Sequence, residues 1–229
     1  MQRHCGQFGR FTDRACAGAA LARKLKRRAM QPPLLVLALP RGGVPVAYEV
    51  ARALGAALDV LVVRKLGMPG QPEFALGALA AGNVLVYDPS NPNGCPSLSE
   101  TVHRLAARER GELARREQLY RAGRAPLDLK HKTVILVDDG LATGSTMLAA
   151  VRAARAGGAT AIIVAAPVAS REAVSVVRRE ADQIVILRQP DPFFSVGQWY
   201  EQFDQIEDTE VCRLLAPQRR AADYSPSRG

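Results

Sequence analysis

The sequence predicts an α/β fold around a mostly parallel central sheet. The first observation is a set of continuous apolar runs, which are typical of strands covered on both faces. They lie at 34–39, 134–137, 161–166 and 183–187. The second observation is that segments of helical periodicity separate these runs. Strand–helix–strand units of this kind form parallel sheets with right-handed crossovers.

Length and composition suit a single domain of this class. The chain has 229 residues and is 48% apolar, so a core can form without metal or disulfide. No apolar run is long enough to span a bilayer, no signal-peptide core follows the N-terminus, and the four cysteines lack C-x-x-C spacing. We therefore expect one cytoplasmic domain over 1–229, with its core at about 12–190.

The net charge of +9 at neutral pH suits a polyanionic partner, either a small substrate or nucleic acid. Much of this charge lies in helical runs at 23–28 and 104–124, and such runs are usually solvated helix faces. No interleaved aromatic residues support base stacking along the second run. We therefore favour a small anionic substrate over nucleic acid, and we expect no membrane partner.

In the first half, helical periodicity predicts a leading helix that Thr12 or Asp13 can cap, and a second helix that Gly55 can end. A Gly- and Pro-interrupted stretch at 66–74 precedes an antiparallel pair that turns at Gly82-Asn83. The predicted helices are 12–30, 46–54, 99–121, 146–156 and 171–180, the remaining strands are 57–63, 75–81 and 84–87, and a surface loop is expected at 88–98.

The strongest chemical signal follows the strand at 134–137. Asp138 and Asp139 end this strand, a loop of small residues follows, and Ser145 or Thr146 can cap the next helix. A helix start attracts phosphate through its N–H groups and dipole, whereas carboxylates would repel phosphate but suit a vicinal diol. A ribose 5-phosphate would satisfy both parts. An ordinary turn with solvated acids is the alternative.

The loop Pro40-Arg41-Gly42-Gly43 is the second chemical signal. Its glycines let the backbone approach a ligand, and Arg41 adds a permanent cation, so the loop suits a diphosphate. It follows the strand at 34–39, and open α/β sheets bind ligands at the carboxyl ends of their strands. Taken alone, the loop could equally be a plain strand-to-helix turn.

The segment from Asp138 to Thr146 resembles the ribose-phosphate signature of type I phosphoribosyltransferases, with two acids and a loop ending Thr-Gly-Ser-Thr. A nucleotide P-loop would need Lys where Ser145 follows Gly144, and the dinucleotide G-x-G-x-x-G pattern is absent. The resemblance covers about 12–205. It implies a Rossmann-like twisted sheet flanked by helices, with a small hood and a flexible loop over the C-terminal strand ends.

The resemblance also implies a reaction. Such enzymes use 5-phosphoribosyl 1-pyrophosphate and Mg²⁺ to transfer the phosphoribosyl group to a nitrogenous base or related acceptor, and they release pyrophosphate. Asp138 and Asp139 would be catalytic, holding the ribose hydroxyls and contacting the metal indirectly, through those hydroxyls or water. The implied ribose-5-phosphate site consists of these two acids with Gly140, Ala142, Thr143, Gly144, Ser145 and Thr146.

The resemblance further places pyrophosphate on Pro40, Arg41, Gly42, Gly43, Arg64 and Lys65, and it implies a non-proline cis peptide at Pro40–Arg41. Lys65 would be a catalytic cation at the base of the flexible loop, within 66–74. Glu73 in that loop is a candidate acid/base. A strand end that reaches solvent is the alternative for Arg64 and Lys65.

In this family a variable hood holds the acceptor, and here it would span about 190–216, before a tail at 217–229 predicted to be disordered. The candidates for stacking on the acceptor are Phe193, Phe194, Trp199 and Tyr200, with core packing as an equal alternative. Some purine-using members carry an acid at the position of Ala142, so that version of base activation is not expected here.

Two function classes remain open from the sequence. One is a phosphoribosyltransferase acting on small-molecule substrates, with a homodimer left open. The other is a non-catalytic descendant that senses phosphoribosyl ligands and regulates through RNA or DNA bound to its basic surface.

Overall fold

The computed structural model describes residues 9–68, 71–80, 84–87 and 96–222. Its helices are α1 (Arg14–Leu25), α2 (Gly43–Leu54), α3 (Pro96–Arg121), α4 (Ser145–Ala156), α5 (Arg171–Val177) and α6 (Asp208–Ala222). Its strands are β1 (Leu34–Ala38), β2 (Ala57–Val60), β3 (Val63–Met68), β4 (Gln71–Ala80), β5 (Val84–Tyr87), β6 (Thr133–Val137), β7 (Ala161–Val168) and β8 (Gln183–Arg188).

The predicted parallel sheet is confirmed, with five strands in the order β2-β1-β6-β7-β8. Successive residues of each strand enter different cores. Val36 and Ile135 pack with α1 and α2 on one face, whereas Leu37 packs with α4 and α5 on the other. The central strands are therefore apolar throughout because both of their faces are buried.

A second sheet of three antiparallel strands, β3-β4-β5, packs against α3 and α4. The predicted pairing of β4 with β5 is confirmed, while the turn at Gly82-Asn83 lies outside the described residues. The interrupted stretch at 66–74 is mostly paired strand, because Leu66 and Leu79 of the hairpin are buried in the core. The flexible loop implied within 66–74 stays a prediction, because residues 69 and 70 lie outside the described residues.

Several predicted bounds also change. The strand expected at 57–63 ends at Val60, and Leu61 and Val62 turn the chain into the second sheet. The leading helix ends at Leu25 instead of residue 30. The predicted tail begins inside a helix, because α6 continues to Ala222. Two predicted segments lie outside the described residues: the tail from 223 onwards, and residues 88–95 of the loop expected at 88–98.

The local signals at the ends of two helices are confirmed. Asp13 caps α1 by accepting a hydrogen bond of 2.6 Å from the N–H of Cys16, and Gly55 ends α2 in the left-handed conformation at φ +62°. None of the helices in the described part of the chain combines the length and apolar character required to cross a bilayer.

The strand order places a crevice between β1 and β6. These neighbouring strands send their following helices to opposite faces of the sheet, because α2 packs in the first core and α4 in the second. Ligands of open α/β sheets bind at such a switch point, outside the carboxyl ends of the strands. Both chemical signals of the sequence follow these two strands.

Candidate functional site

The two acids after β6 are each held by one of their oxygens. Asp138 Oδ1 accepts a hydrogen bond of 2.9 Å from the backbone N–H of Asp139. Asp139 Oδ2 accepts one of 2.8 Å from Nε of Arg14, a residue of α1 that is only 8% exposed. Within the described part of the chain, neither Asp138 Oδ2 nor Asp139 Oδ1 accepts a hydrogen bond from another residue. Each carboxylate therefore keeps one oxygen for a ligand.

The electrostatics of the two acids differ. Burial raises the pKa of Asp138, and the neighbouring charge of Asp139 raises it further. Burial also raises the pKa of Asp139, but the hydrogen bond and charge of Arg14 oppose that rise. Asp139 is therefore the better stabilised anion of the pair, and Asp138 is the one that burial penalises more.

The loop after β1 lies directly on these acids. A Cβ atom at Gly42 would sit 2.1 Å from Asp139 Oδ2, and one at Gly43 would sit 2.6 Å from the Val137 carbonyl oxygen. Gly42 has φ −60°, which any residue can adopt, so close contact alone requires glycine there. The predicted cis peptide at Pro40–Arg41 is confirmed. The predicted ribose and diphosphate segments thus meet.

Arg41 of this loop is partly exposed and lies near the start of α6. Its guanidinium nitrogen NH1 is 3.8 Å from carboxylate oxygens of both Glu207 and Asp208. These separations are long for hydrogen bonds, and exposed ion pairs of this kind contribute little. A phosphate oxygen could therefore replace these partners at low cost.

The loop from Gly140 leads into α4, but the predicted cap by Ser145 or Thr146 is wrong, because Gly144 is the N-cap residue and no side chain caps the helix. Gly144 has φ +78°, and a Cβ there would lie 2.9 Å from the Ala173 carbonyl oxygen, so glycine is needed for both conformation and space. The side chains of Thr143 and Ser145 share a hydrogen bond of 2.9 Å. The first turn of α4 supplies backbone N–H groups that have no helical carbonyl before them, which suits an anion.

Ser170 supports this loop and was missed in the sequence. Its hydroxyl donates to the carbonyl of Ala142 at 2.6 Å and accepts from the N–H of Ala173 at 2.9 Å. It therefore caps α5 and fixes the loop with one group. A serine one residue before a helical segment signals a cap, but nothing in the sequence indicates its second partner.

The two cations expected for pyrophosphate separate. Arg64 pairs with Glu109 of α3 through a 2.8 Å contact. Adjacent residues of a strand point to opposite faces, so Arg64 and Lys65 diverge. Lys65 shares the face of Val63, which packs with residues of α4. Arg64 is therefore engaged by α3 in this structure, and both Arg64 and Lys65 stay predictions for the diphosphate site.

The aromatic residues of the expected hood also divide. Tyr200 is 3% exposed, and its hydroxyl donates to the backbone carbonyl of Asp139 at 2.6 Å. Its interpretation as an acceptor-stacking residue is wrong, because its ring is packed between Phe11 and Phe203. Phe194 is 74% exposed. Phe193 and Trp199 are half-buried beside this cluster.

Two further predictions concern Glu73 and the hood. The side chain of Glu73 in β4 lies outside the described residues. The hood expected over 190–216 is not one unit, because α6 packs against α2, α3 and β2. The remainder of that segment, up to 207, runs past Asp139 and Arg41. Arg14 was missed because its carboxylate partner lies 125 residues away in sequence.

The chain is similar in sequence to known proteins. Residues 9–198 match the family model described as a phosphoribosyl transferase domain. The Mycobacterium tuberculosis H37Rv protein named "Putative phosphoribosyl transferase Rv0571c" is 42% identical over 205 residues, which cover 90% of this chain and 46% of the relative. The chain thus spans about half the length of the curated relatives it matches.

A solved structure agrees over nearly the whole chain. The crystal structure of TT1426 from Thermus thermophilus is similar with a TM-score of 0.85 and 44% identity, covering 91% of this chain and 99% of that chain. Because the family model spans most of the chain, including β1, β6 and the loops that follow them, the chain belongs to the phosphoribosyl transferase domain family.

Proposed function

We propose that the chain uses 5-phosphoribosyl 1-pyrophosphate and Mg²⁺ to transfer a phosphoribosyl group to a nitrogenous base or related acceptor, with release of pyrophosphate. The observation that carries the proposal is the contact of Gly42 with Asp139. The donor bears its diphosphate and its hydroxyls on adjacent ring carbons. It therefore needs a diphosphate loop and a pair of acids side by side.

The donor would bind in three parts. The 5-phosphate would take the backbone N–H groups and hydroxyls of the loop from Thr143 to Thr146. The ribose hydroxyls would meet the uncommitted oxygens of Asp138 and Asp139. The diphosphate would meet Arg41, the backbone of Gly42 and Gly43, and Lys65.

The acids also fit Mg²⁺. Among residues whose side chains are described, no group of three or more His, Cys, Asp or Glu side chains could hold a metal. Mg²⁺ is commonly held by one or two carboxylates together with waters and substrate phosphates, so a pair of carboxylates beside a diphosphate site is sufficient. When bound, Mg²⁺ would neutralise charge on the departing diphosphate.

The chemistry breaks the bond between C1 of the ribose and the diphosphate oxygen, and the electron pair leaves with the diphosphate. The acceptor nitrogen forms the new bond from the opposite face, so C1 inverts. Asp138 and Asp139 would stabilise positive charge on the ring in the transition state, and Arg41 and Lys65 the growing charge of the leaving group. Glu73 is a candidate for receiving the acceptor's proton.

The acceptor would bind above the sheet edge, near the segment that carries the exposed Phe194 and the half-buried Phe193 and Trp199. An aromatic face suits stacking on a planar base. The position of Ala142 supplies no acid for a purine ring, so the acceptor would be activated in another way.

The test is pyrophosphate release from the donor with Mg²⁺ across a panel of nitrogenous bases. We expect release with at least one acceptor. The double variant Asp138→Asn with Asp139→Asn should abolish release and weaken donor binding by at least tenfold. Unchanged donor affinity in that variant would reject the ribose assignment. Absence of turnover with every acceptor, together with salt-sensitive RNA binding, would instead favour a ligand-sensing regulator.

A further inference from the structure

Arg14 links three separate parts of the chain at the site. It belongs to α1, its Nε donates to Asp139 Oδ2, and its NH1 donates to the backbone carbonyl of Asp204 at 2.8 Å. Its guanidinium also lies over the ring of Phe203, 3.9 Å from the centroid. A buried arginine with this many directed contacts has one fixed position.

Asp139 is consequently held on both its side chain and its backbone by the same segment. Tyr200 donates to the backbone carbonyl of Asp139, and the ring of Tyr200 stacks on Phe203 at 5.0 Å. Arg14 stacks on Phe203, and it also donates a hydrogen bond to the carboxylate of Asp139. The orientation of the remaining oxygen, Asp139 Oδ1, therefore depends on Arg14 and on residues 200–204.

We propose that Arg14 is a positioning residue for the donor: it fixes Asp139 so that Oδ1 points at a ribose hydroxyl, and it ties the segment 200–204 to the acid pair. This inference rests on the proposed function. Arg14 does not touch the donor, because Asp139 lies between them. Removal of Arg14 would leave the Asp139 carboxylate free to rotate. It would also leave the charge of Asp139 buried without a partner.

Arg121 provides a matched control. It is also a buried arginine, and it forms a two-point ion pair with Asp59 through contacts of 3.1 and 3.2 Å. Asp59 lies within β2, away from the loops proposed to bind the donor. Arg14→Met breaks the buried ion pair with Asp139. Arg121→Met breaks the ion pairs with Asp59 and Glu117, although Asp59 keeps its contact with Arg124. Both variants should lower the melting temperature. Only Arg14→Met should weaken donor binding, by about tenfold or more.

The conservative variant separates position from charge. Arg14→Lys keeps a cation but cannot reach Asp139 and Asp204 from a rigid planar group, so we expect partial recovery of donor affinity relative to Arg14→Met. In the background of Asp139→Asn, Arg14→Met should have almost no further effect on affinity, because the carboxylate on which it acts is gone. Fluorescence of Trp199, the chain's single tryptophan, reports folding of the neighbouring segment in every variant.

The results of these binding measurements distinguish the role of Arg14 from the proposed function on which it rests. Absence of donor binding by the unmodified chain would reject the proposed function itself. Normal donor binding by the unmodified chain, with equal affinity in folded Arg14→Met, would overturn only the role of Arg14. So would equal losses in Arg14→Met and Arg121→Met, or full additivity with Asp139→Asn.

Discussion

Gly42 shows how a single residue can join two loops. Its backbone conformation is ordinary, yet the space for a side chain is occupied by the Asp139 carboxylate. Glycine is therefore required by the neighbouring acid. The sequence predicted glycines for close approach to a diphosphate, but the structure adds that the same missing Cβ lets the acid pair approach.

Gly42→Ala should weaken donor binding, because a methyl group must displace either the acid or the loop. Overpacking of this kind costs roughly 1–3 kcal/mol, which corresponds to a loss of about fivefold to 150-fold in affinity. Calorimetric titration with the donor and Mg²⁺ measures it. The control is Gly111→Ala in α3, where nothing lies within 4 Å of the added Cβ. That change should leave affinity unaltered and add about 0.5–1 kcal/mol of stability.

Asp138→Asn should stabilise the protein at neutral pH. Burial and the charge of Asp139 raise the pKa of Asp138 in the folded state, so the folded protein binds that proton more tightly than the unfolded chain. The free energy of unfolding therefore falls as pH rises from the ordinary aspartate range through the raised pKa. Asparagine removes this penalty, so its advantage should grow as pH rises from the ordinary aspartate range and shrink in acid.

Melting temperatures of Asp138→Asn and the parent chain, measured as a function of pH without divalent metal, test this prediction. Exposed Asp128 is the control of opposite sign, because its hydrogen bond with Lys132 lowers its pKa. Asp128→Asn should be neutral or slightly destabilising at neutral pH. A variant Asp138→Asn that is less stable than the parent chain at neutral pH would show that this carboxylate is not penalised by burial.

Among the elements, α5 is linked to the loop from Gly140 to Thr146 through Ser170, the residue that caps the first turn of α5. Ser170→Ala removes the hydrogen bond to Ala173 and the one to Ala142. The lost cap should cost about 1 kcal/mol of stability. The freed loop should also raise the dissociation constant of the donor. Ser170→Thr keeps the hydroxyl and should behave like the parent chain; if alanine changes stability alone, the link to the loop has no role in binding.

The central strands and their helices were predictable because local pattern and tertiary environment agree there. Strands β1, β6 and β7 are buried on both faces, so their apolar runs carry an unambiguous signal; β8, at the edge of the sheet, is only partly buried. The break after Val60 was not predictable, because Leu61 and Val62 are as apolar and as buried as the strand before them. Glycines and prolines likewise indicated a loop in a segment that the structure pairs as a hairpin.

The chemistry-bearing loops were predictable from residue type, but their supports were not. Arg14, Ser170 and Tyr200 reach the site across long sequence separations, and arginine, serine and tyrosine are common elsewhere on the chain. Arg64 shows a related limit. Alternation along a strand sends neighbouring cations to opposite faces, and the sequence did not show that Arg64 pairs with Glu109.

At the scale of the whole molecule, the strand order decides which loops lie next to each other. Parallel strands bring the loops after β1 and β6 to one edge and leave the opposite edge to structural contacts. A cavity of about 470 Å³ lies at that opposite edge, lined by Asp59, Arg121 and Lys132 among others. These three charged side chains are already paired with neighbouring groups, so the cavity offers an anionic donor less than the crevice does.

The most direct test is a crystal structure of the chain with 5-phosphoribosyl 1-pyrophosphate and Mg²⁺. The account predicts the 5-phosphate at Thr143–Thr146, the ribose hydroxyls at Asp138 and Asp139, and the diphosphate at Arg41–Gly43. Donor density in the cavity beside Asp59 and Arg121, with the crevice between β1 and β6 empty under saturating donor, would contradict it.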